Sequence, residues 1–399
     1  MWDQQIDINQ VVEIRTKTTT YLGVGAINKM FDIANILVER GIKKTVIVTG
    51  KGSHIKSGAW DVVKKALDEK GIEYILYSKI TPNPTADHVD EAVEIARDFG
   101  ASTVIAIGGG SPIDAGKCVA ILLAYPDKTA RDLCEFKFEV EQAVPIIAIN
   151  LTHGTGTEVD RFAVVSIPEK DFKPALAFDC IYPLYSIDDP ALMTKLPADQ
   201  TSYVSIDAIN HVIEAATTKL GNPFAITLAK ETIAIIAKYL PLARKNPTDL
   251  TARYHLLYAS MIAGVSFDNG LLHLTHALEH PLSGLKPELA HGLGLGIILP
   301  AVVKQIYPAK AKILADILAP LLPGLKGTPD EADKVYEDLK QWLTEAGIKE
   351  HLSEEGFSVH DVDNLIKLAF ETPSLGALLS MAPIEATKEV VKKIYIDSM

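Results

Sequence analysis

From Thr45 to Asn150, short runs of β-branched and aliphatic residues alternate with segments of helical period. TVIVTG is followed by an amphipathic stretch near Lys56 to Glu69, and EYILYS by another near Ala86 to Phe99; STVIAIGGG and VPIIAIN come next. Strands alternating with helices of this length join as βαβ units, which commits the chain to a parallel sheet covered by helices. Such a sheet takes ligands at the carboxyl ends of its strands. The first half of the chain is therefore expected to be an α/β domain.

Beyond the segment Tyr182 to Pro197 the strand patterns vanish. PFAITLAKETIAIIAKYL and DEADKVYEDLKQWLTEAG show helical period with charged outer faces, so an all-helical second domain is expected. A length of 399 residues is comfortable for two cores. The most apolar stretches, LGLGIILPAVV and ILADILAPLLPGL, are broken by glycine, proline or aspartate and are expected as core helices rather than bilayer spans. A formal charge of -12 with no lysine or arginine run argues against nucleic acid or an anionic membrane as partner. Cys118, Cys134 and Cys180 are scattered and odd in number, which points to a reducing compartment. The polar N-terminal stretch lacks the pattern of a secretory signal, so a cytoplasmic location is expected.

Two strand ends carry glycine. GGGSPIDAGK, Gly108 to Lys117, directly follows an apolar strand and opens a helix, so its backbone can approach a ligand and its free amides favour a diphosphate. It is neither GxGxxG nor a P-loop, and a tight turn alone would use the same residues. The earlier end, VTGKGSHIKSG, has Gly50 where a carboxylate would otherwise accept a ribose 2'-hydroxyl and repel a 2'-phosphate.

The chain concentrates histidine in LHLTHALEHPLSGLKPELAHGLGL, with His273, His276, His280 and His291 in an apolar setting. The absence of glycine and proline from Leu271 to Glu279 predicts a helix that Pro281 ends, with the first three histidines on one face. His291 is expected to start the next helix, where the positive dipole end disfavours imidazolium and leaves the neutral ring that a metal needs. Upstream, Asp207 and His211 stand four apart in SIDAINHVIEA and share a helix face. Spacing alone admits His273 with His276, or His276 with His280, equally well. Glu214 shares the face of Asp207 and His211 and is expected to support a ligating imidazole rather than to ligate.

The set Asp207 to His211, then HALEHPLSG, then AHG ending at His291 and Gly292, resembles the iron-containing (group III) alcohol dehydrogenase family. The resemblance implies Asp207, His211, His276 and His291 on one divalent ion, ferrous iron with zinc as the alternative, and His280 beside the site as the candidate catalytic residue for proton relay or substrate orientation. The loop before His291 is longer than the common form. GGGSxxDxxK is similar to the family's cofactor motif, which implies that Gly108, Gly109, Gly110 and Ser111 hold a pyrophosphate, with Asp114 and Lys117 steadying the turn. Gly50, Gly52, Ser53 and Lys56 resemble the GxGSxK of members that read NADP(H) rather than NAD(H).

Pro82 and Asn83 lie in TPNPT, which resembles the family segment bordering the nicotinamide. LTHGTGTEVD resembles TTAGTGSE, which implies Thr152 and Thr155 against the cofactor, while Leu151, His153 and Thr157 depart from the pattern; His153 is given no chemistry. Lys173 in KDFKPALA matches as well. The implied architecture is that of dehydroquinate synthase: a Rossmann-like dinucleotide-binding domain over residues 1–190 and an all-α metal-binding domain over 191–399. The implied reaction is hydride transfer between a primary alcohol or small diol and the nicotinamide. A lyase of the dehydroquinate synthase type and glycerol-dehydrogenase-like polyol oxidation are the alternatives, and a homodimer is compatible with the reading.

Overall fold

The computed structural model describes residues 11–399; the reading of the first ten residues lies outside them. The chain forms two compact units, one of Thr16–Leu196 with Asn246–Met261, the other of Pro197–Lys245 and Ile262–Met399 with residues 11–15. The division thus falls at Leu196, six residues past 190, and Asn246–Met261 groups with the α/β unit.

That unit holds strands β1 (Thr19–Leu22), β2 (Lys44–Gly50), β3 (Glu73–Ile80), β4 (Val104–Gly108), β5 (Ile146–Asn150), β6 (Phe162–Val164), β7 (Ala175–Ala177) and β8 (Tyr185–Asp188). Its helices are α1 (Met30–Glu39), α2 (Ser53–Ser57), α3 (Ala59–Lys70), α4 (Ala86–Phe99), α5 (Gly110–Ala124) and α6 (Ala130–Cys134). Six strands form one parallel sheet in the order β1-β8-β5-β4-β2-β3, and β6 with β7 makes a separate antiparallel pair. Side chains alternate across a strand. Val46, Val48 and Val104 therefore pack in a core with α4 and α5, while Ile47, Ile105, Ile107, Ile147 and Ile149 pack in another with α1 and α3. Burial on both faces is why these strands read as unbroken aliphatic runs.

The chain runs outward from β2 to β3, then turns back through β4 and β5 toward β8. The strand order therefore reverses between β2 and β4, the position at which open α/β sheets bind ligands. The two glycine-bearing strand ends, Gly50 and Gly108, flank that point.

The second half is helical, with α7 (Ala198–Thr217), α8 (Pro223–Lys245), α9 (Leu250–Gly270), α10 (Leu274–Leu285), α11 (His291–Ile317), α12 (Ala332–Ala346), α13 (Val362–Glu371), α14 (Leu375–Ser380) and α15 (Lys388–Asp397). Pro281 does not end α10, which continues to Leu285. Leu282 and Ser283 are fully buried there, and packing of that kind outweighs the one backbone bond a proline removes. The first apolar stretch and residues 313–317 of the second lie in α11, which runs through Pro300 and Pro308 and is kinked at Lys310; the rest of the second stretch follows the end of that helix. By length and composition α11 could cross a bilayer; 78% of its apolar window is buried inside the protein.

Candidate active site

Helix α7 presents Asp207, His211 and Glu214 on one buried face, as spacings of four and seven require. Helix α11 comes so close to α7 that a Cβ on Gly292 would lie 2.0 Å from the Tyr203 carbonyl oxygen, so only glycine lets the preceding His291 reach this face. His276 comes from α10. The result is a convergence on one atom: Asp207 Oδ1 lies 3.5 Å from His211 Nε2, 3.5 Å from His276 Nε2 and 3.9 Å from His291 Nε2. Metal bonds of about 2.1 Å would place tetrahedral ligands about 3.4 Å apart. Asp207 Oδ1 and His276 Nε2 are buried without a hydrogen-bond partner, and the rings of His211 and His276 stack at 4.6 Å, 11° from parallel. Buried polar atoms are rarely left so. Asp207, His276 and His291 offer ligand atoms within 4.8 Å of one another, so a divalent ion fits these three and would satisfy the unpartnered atoms, with His211 Nε2 on the same Asp207 oxygen.

Carboxylates behind the imidazoles set their orientation. His276 Nδ1 donates to Glu214 Oε2, and Glu214 Oε1 in turn accepts backbone N–H groups of His273 at 3.0 Å and Thr275 at 2.8 Å. His291 Nδ1 donates to Glu279 Oε2. Each pairing turns Nε2 toward the site, the arrangement in which a histidine ligates best. Burial works against charge here, yet the nearby imidazoles hold Asp207 below the usual carboxylate range, and His276 with the backbone amides takes Glu214 down to about 2. Burial takes His211 down to about 4, which keeps it neutral. His276 is pushed up to about 9, burial being outweighed by Glu214 and Asp207, so an ion entering the metal-free protein displaces a proton from it.

His273 is not part of the helix. It caps α10 from outside with φ -145°, its Nδ1 accepting the Leu274 N–H at 2.6 Å and its Nε2 lying 2.9 Å from Thr217 Oγ1. Of the two pairings that spacing allowed, the structure brings only His276 to Asp207. His280 is buried beside the set, its ring 5.8 Å from that of His291 and 6.4 Å from that of His276.

In the α/β unit the ends of β4 and β5 lie side by side, with Gly108 paired to Asn150. Helix α5 starts at Gly110 with no side chain capping its first turn, which leaves amides open to an anion. A Cβ on Gly109 would stand 2.8 Å from the Thr152 side chain, and one on Gly110 2.6 Å from that of Thr155, so the glycines let the two threonines close over the turn. Thr152 is held in place because its N–H donates to Asn150 Oδ1 at 3.0 Å. Lys117 is buried, donating to Thr157 Oγ1, to Asp160 and to the Phe162 carbonyl; Asp114 accepts from Thr157 Oγ1 at 2.6 Å and the Val164 N–H at 3.0 Å. Both brace the loop that carries Thr155 rather than reach outward.

The family of iron-containing alcohol dehydrogenases matches residues 17–190, and its C-terminal domain matches 201–399. The chain belongs to the iron-containing alcohol dehydrogenase family. It is 59% identical to the long-chain primary alcohol dehydrogenase of Thermoanaerobacter ethanolicus over the full length of both. It is 31% identical to the NADPH-dependent butanol dehydrogenase of Clostridium saccharobutylicum, covering 94% of this chain and 95% of that one. The crystal structure of an NADH-dependent butanol dehydrogenase from Thermotoga maritima superposes with a TM-score of 0.90 at 28% identity, covering 98% of each chain.

In this alcohol dehydrogenase the remaining expected residues lie at other strand ends. Gly50 closes β2, with Gly52, Ser53 and Lys56 in the turn and short helix that follow; Ser53 and Lys56 are exposed. Pro82 and Asn83 follow β3, with Asn83 at φ 53°. The adjoining Ser166 N–H donates to Pro84 O at 2.8 Å and pins that loop. Lys173 is buried, and its charge acts on Asp114. His153 is buried within the threonine loop. Glu279 was not anticipated. A carboxylate inside the apolar run HALEHPL must be paired when the helix is buried, and that was the available signal.

Proposed function

We propose that this alcohol dehydrogenase interconverts a primary alcohol and its aldehyde with NADP(H) preferred over NAD(H) and ferrous iron as the working ion. The observation that carries the reading is the convergence of Asp207, His211, His276 and His291 with unpartnered ligand atoms. When bound, the ion supplies Lewis acidity at the substrate oxygen and the nicotinamide exchanges a hydride. Glu214 and Glu279 keep two of the imidazoles aimed, and the open amides at the start of α5 bind the diphosphate. His280 takes or returns the hydroxyl proton at a ring nitrogen, because a ligating histidine could not do so without releasing the metal.

NADP preference is supported at β2. No carboxylate stands at its end, and a Cβ at Gly50 would meet the Ile80 carbonyl oxygen at 3.2 Å, so an aspartate is poorly accommodated there. Primary alcohols are supported by the names of the two relatives above. The free thiols of Cys118 and Cys134 and the net charge of -12 favour a cytoplasmic protein that binds neither nucleic acid nor membrane. The ratio of kcat/KM for NADP to that for NAD, measured with one primary alcohol, is expected to exceed one; a ratio below one overturns the cofactor assignment. Restoration of the stripped enzyme by iron but not by zinc tests the metal.

A further inference from the structure

His291 differs from the other three ligands in how it is held. Its side chain is 25% exposed, against 4% for Asp207, 6% for His211 and 3% for His276. It is the first residue of α11, entered from a loop whose N-cap, Ala290, offers no side-chain hydrogen bond. The helix start supplies no side-chain cap beside this ring. The Glu279 carboxylate does contact it.

Glu279 comes from α10 and is fully buried, with Oε2 accepting from His291 Nδ1 and Oε1 accepting from Ser283 Oγ. Gly294, one turn into α11, makes the approach feasible: a Cβ there would lie 3.0 Å from Glu279 Cγ and 3.1 Å from Oε1. The pair repeats what Glu214 does for His276, whereas His211 Nδ1 has no hydrogen-bond partner. A buried carboxylate also offsets the positive end of α11 and the charge of an ion.

We propose that Glu279 is a positioning residue for the metal: by accepting the Nδ1–H of His291 it fixes the tautomer and ring angle that aim Nε2 at the ion, and so makes a partly exposed ligand a permanent one. The inference rests on the metal reading above. It concerns how firmly the ion is held.

The test is Co²⁺ binding to chelator-stripped protein, followed by the visible absorbance of the bound ion, in wild type, Glu279→Ala and Glu279→Gln. Loss of such a partner weakens metal binding about 10–100-fold, so Glu279→Ala is expected in that range; Glu279→Gln, which keeps an acceptor oxygen, is expected between wild type and alanine but at least about threefold weaker. Circular dichroism melting of each stripped form establishes that the helices are intact. If Glu279→Ala does not fold, Glu279→Gln decides by itself. Variants binding Co²⁺ within about threefold of wild type overturn the inference. Wild-type protein that takes up no Co²⁺ overturns the metal reading itself, a result distinct from any difference between variants.

Discussion

Asp207 Oδ1 gathers three imidazole nitrogens within 3.9 Å, and no hydrogen bond competes for it. Another buried carboxyl pair, in the α/β unit, has no such neighbours. Burial pushes Asp188 up to about 7 against the hydrogen bond from Asn150 Nδ2, and burial followed by Asp188 and Asp160 raises Glu158, with Lys117 opposing. A carboxyl whose folded value is raised contributes stability that is fully present below the unfolded value of about 4 and is lost as pH rises toward about 7. Asp188→Asn, which keeps the acceptor for Asn150, should therefore match wild type in denaturation at about pH 4 and exceed it by about 1 kcal/mol or more at about pH 8. A difference independent of pH contradicts this. At this scale a histidine cluster was legible because histidines so dense in an apolar run have few other uses, and the structure brings His276 and His291 of that run to Asp207. The choice among His273, His276 and His280 was not, since it depends on whether the helix starts one residue earlier. Glu279 was illegible for a related reason: a lone carboxylate in an apolar run says that it has a partner, not which one.

Elements were legible where one period dominated. The stretch near Ala86 to Phe99 is α4, closed by a Thr85 cap and Gly100, and the aliphatic runs became β4 and β5 because both faces are buried. The proline reading misled at Pro281, because a proline's lost bond is a local cost while helix length is set by burial along the whole face. The close element contacts depend on glycine in a way the sequence only hinted at. Gly110→Ala puts a methyl 2.6 Å from Thr155 at the start of α5. Overpacking of this kind costs about 1–3 kcal/mol, so dinucleotide affinity should fall about tenfold or more, read as a raised KM for NADPH with metal content unchanged. An unchanged KM would remove the glycine turn from the cofactor site.

For the whole molecule, both fold halves were legible from the change of period, and the family likeness spans the chain from residue 17 to 399. The position of Asn246–Met261 with the α/β unit was not legible, because grouping by contact leaves no mark on helical period. The proposed reaction needs two reagents, an ion that the helical unit would hold and a dinucleotide that the α/β unit would hold. The deciding measurement is the rate of NADPH oxidation with a primary aldehyde by chelator-stripped protein, before and after anaerobic addition of Fe²⁺, in wild type and His276→Ala. Negligible turnover when stripped, recovery with Fe²⁺ in wild type and none in His276→Ala are expected. Full turnover by the stripped protein, or by His276→Ala, would contradict the account.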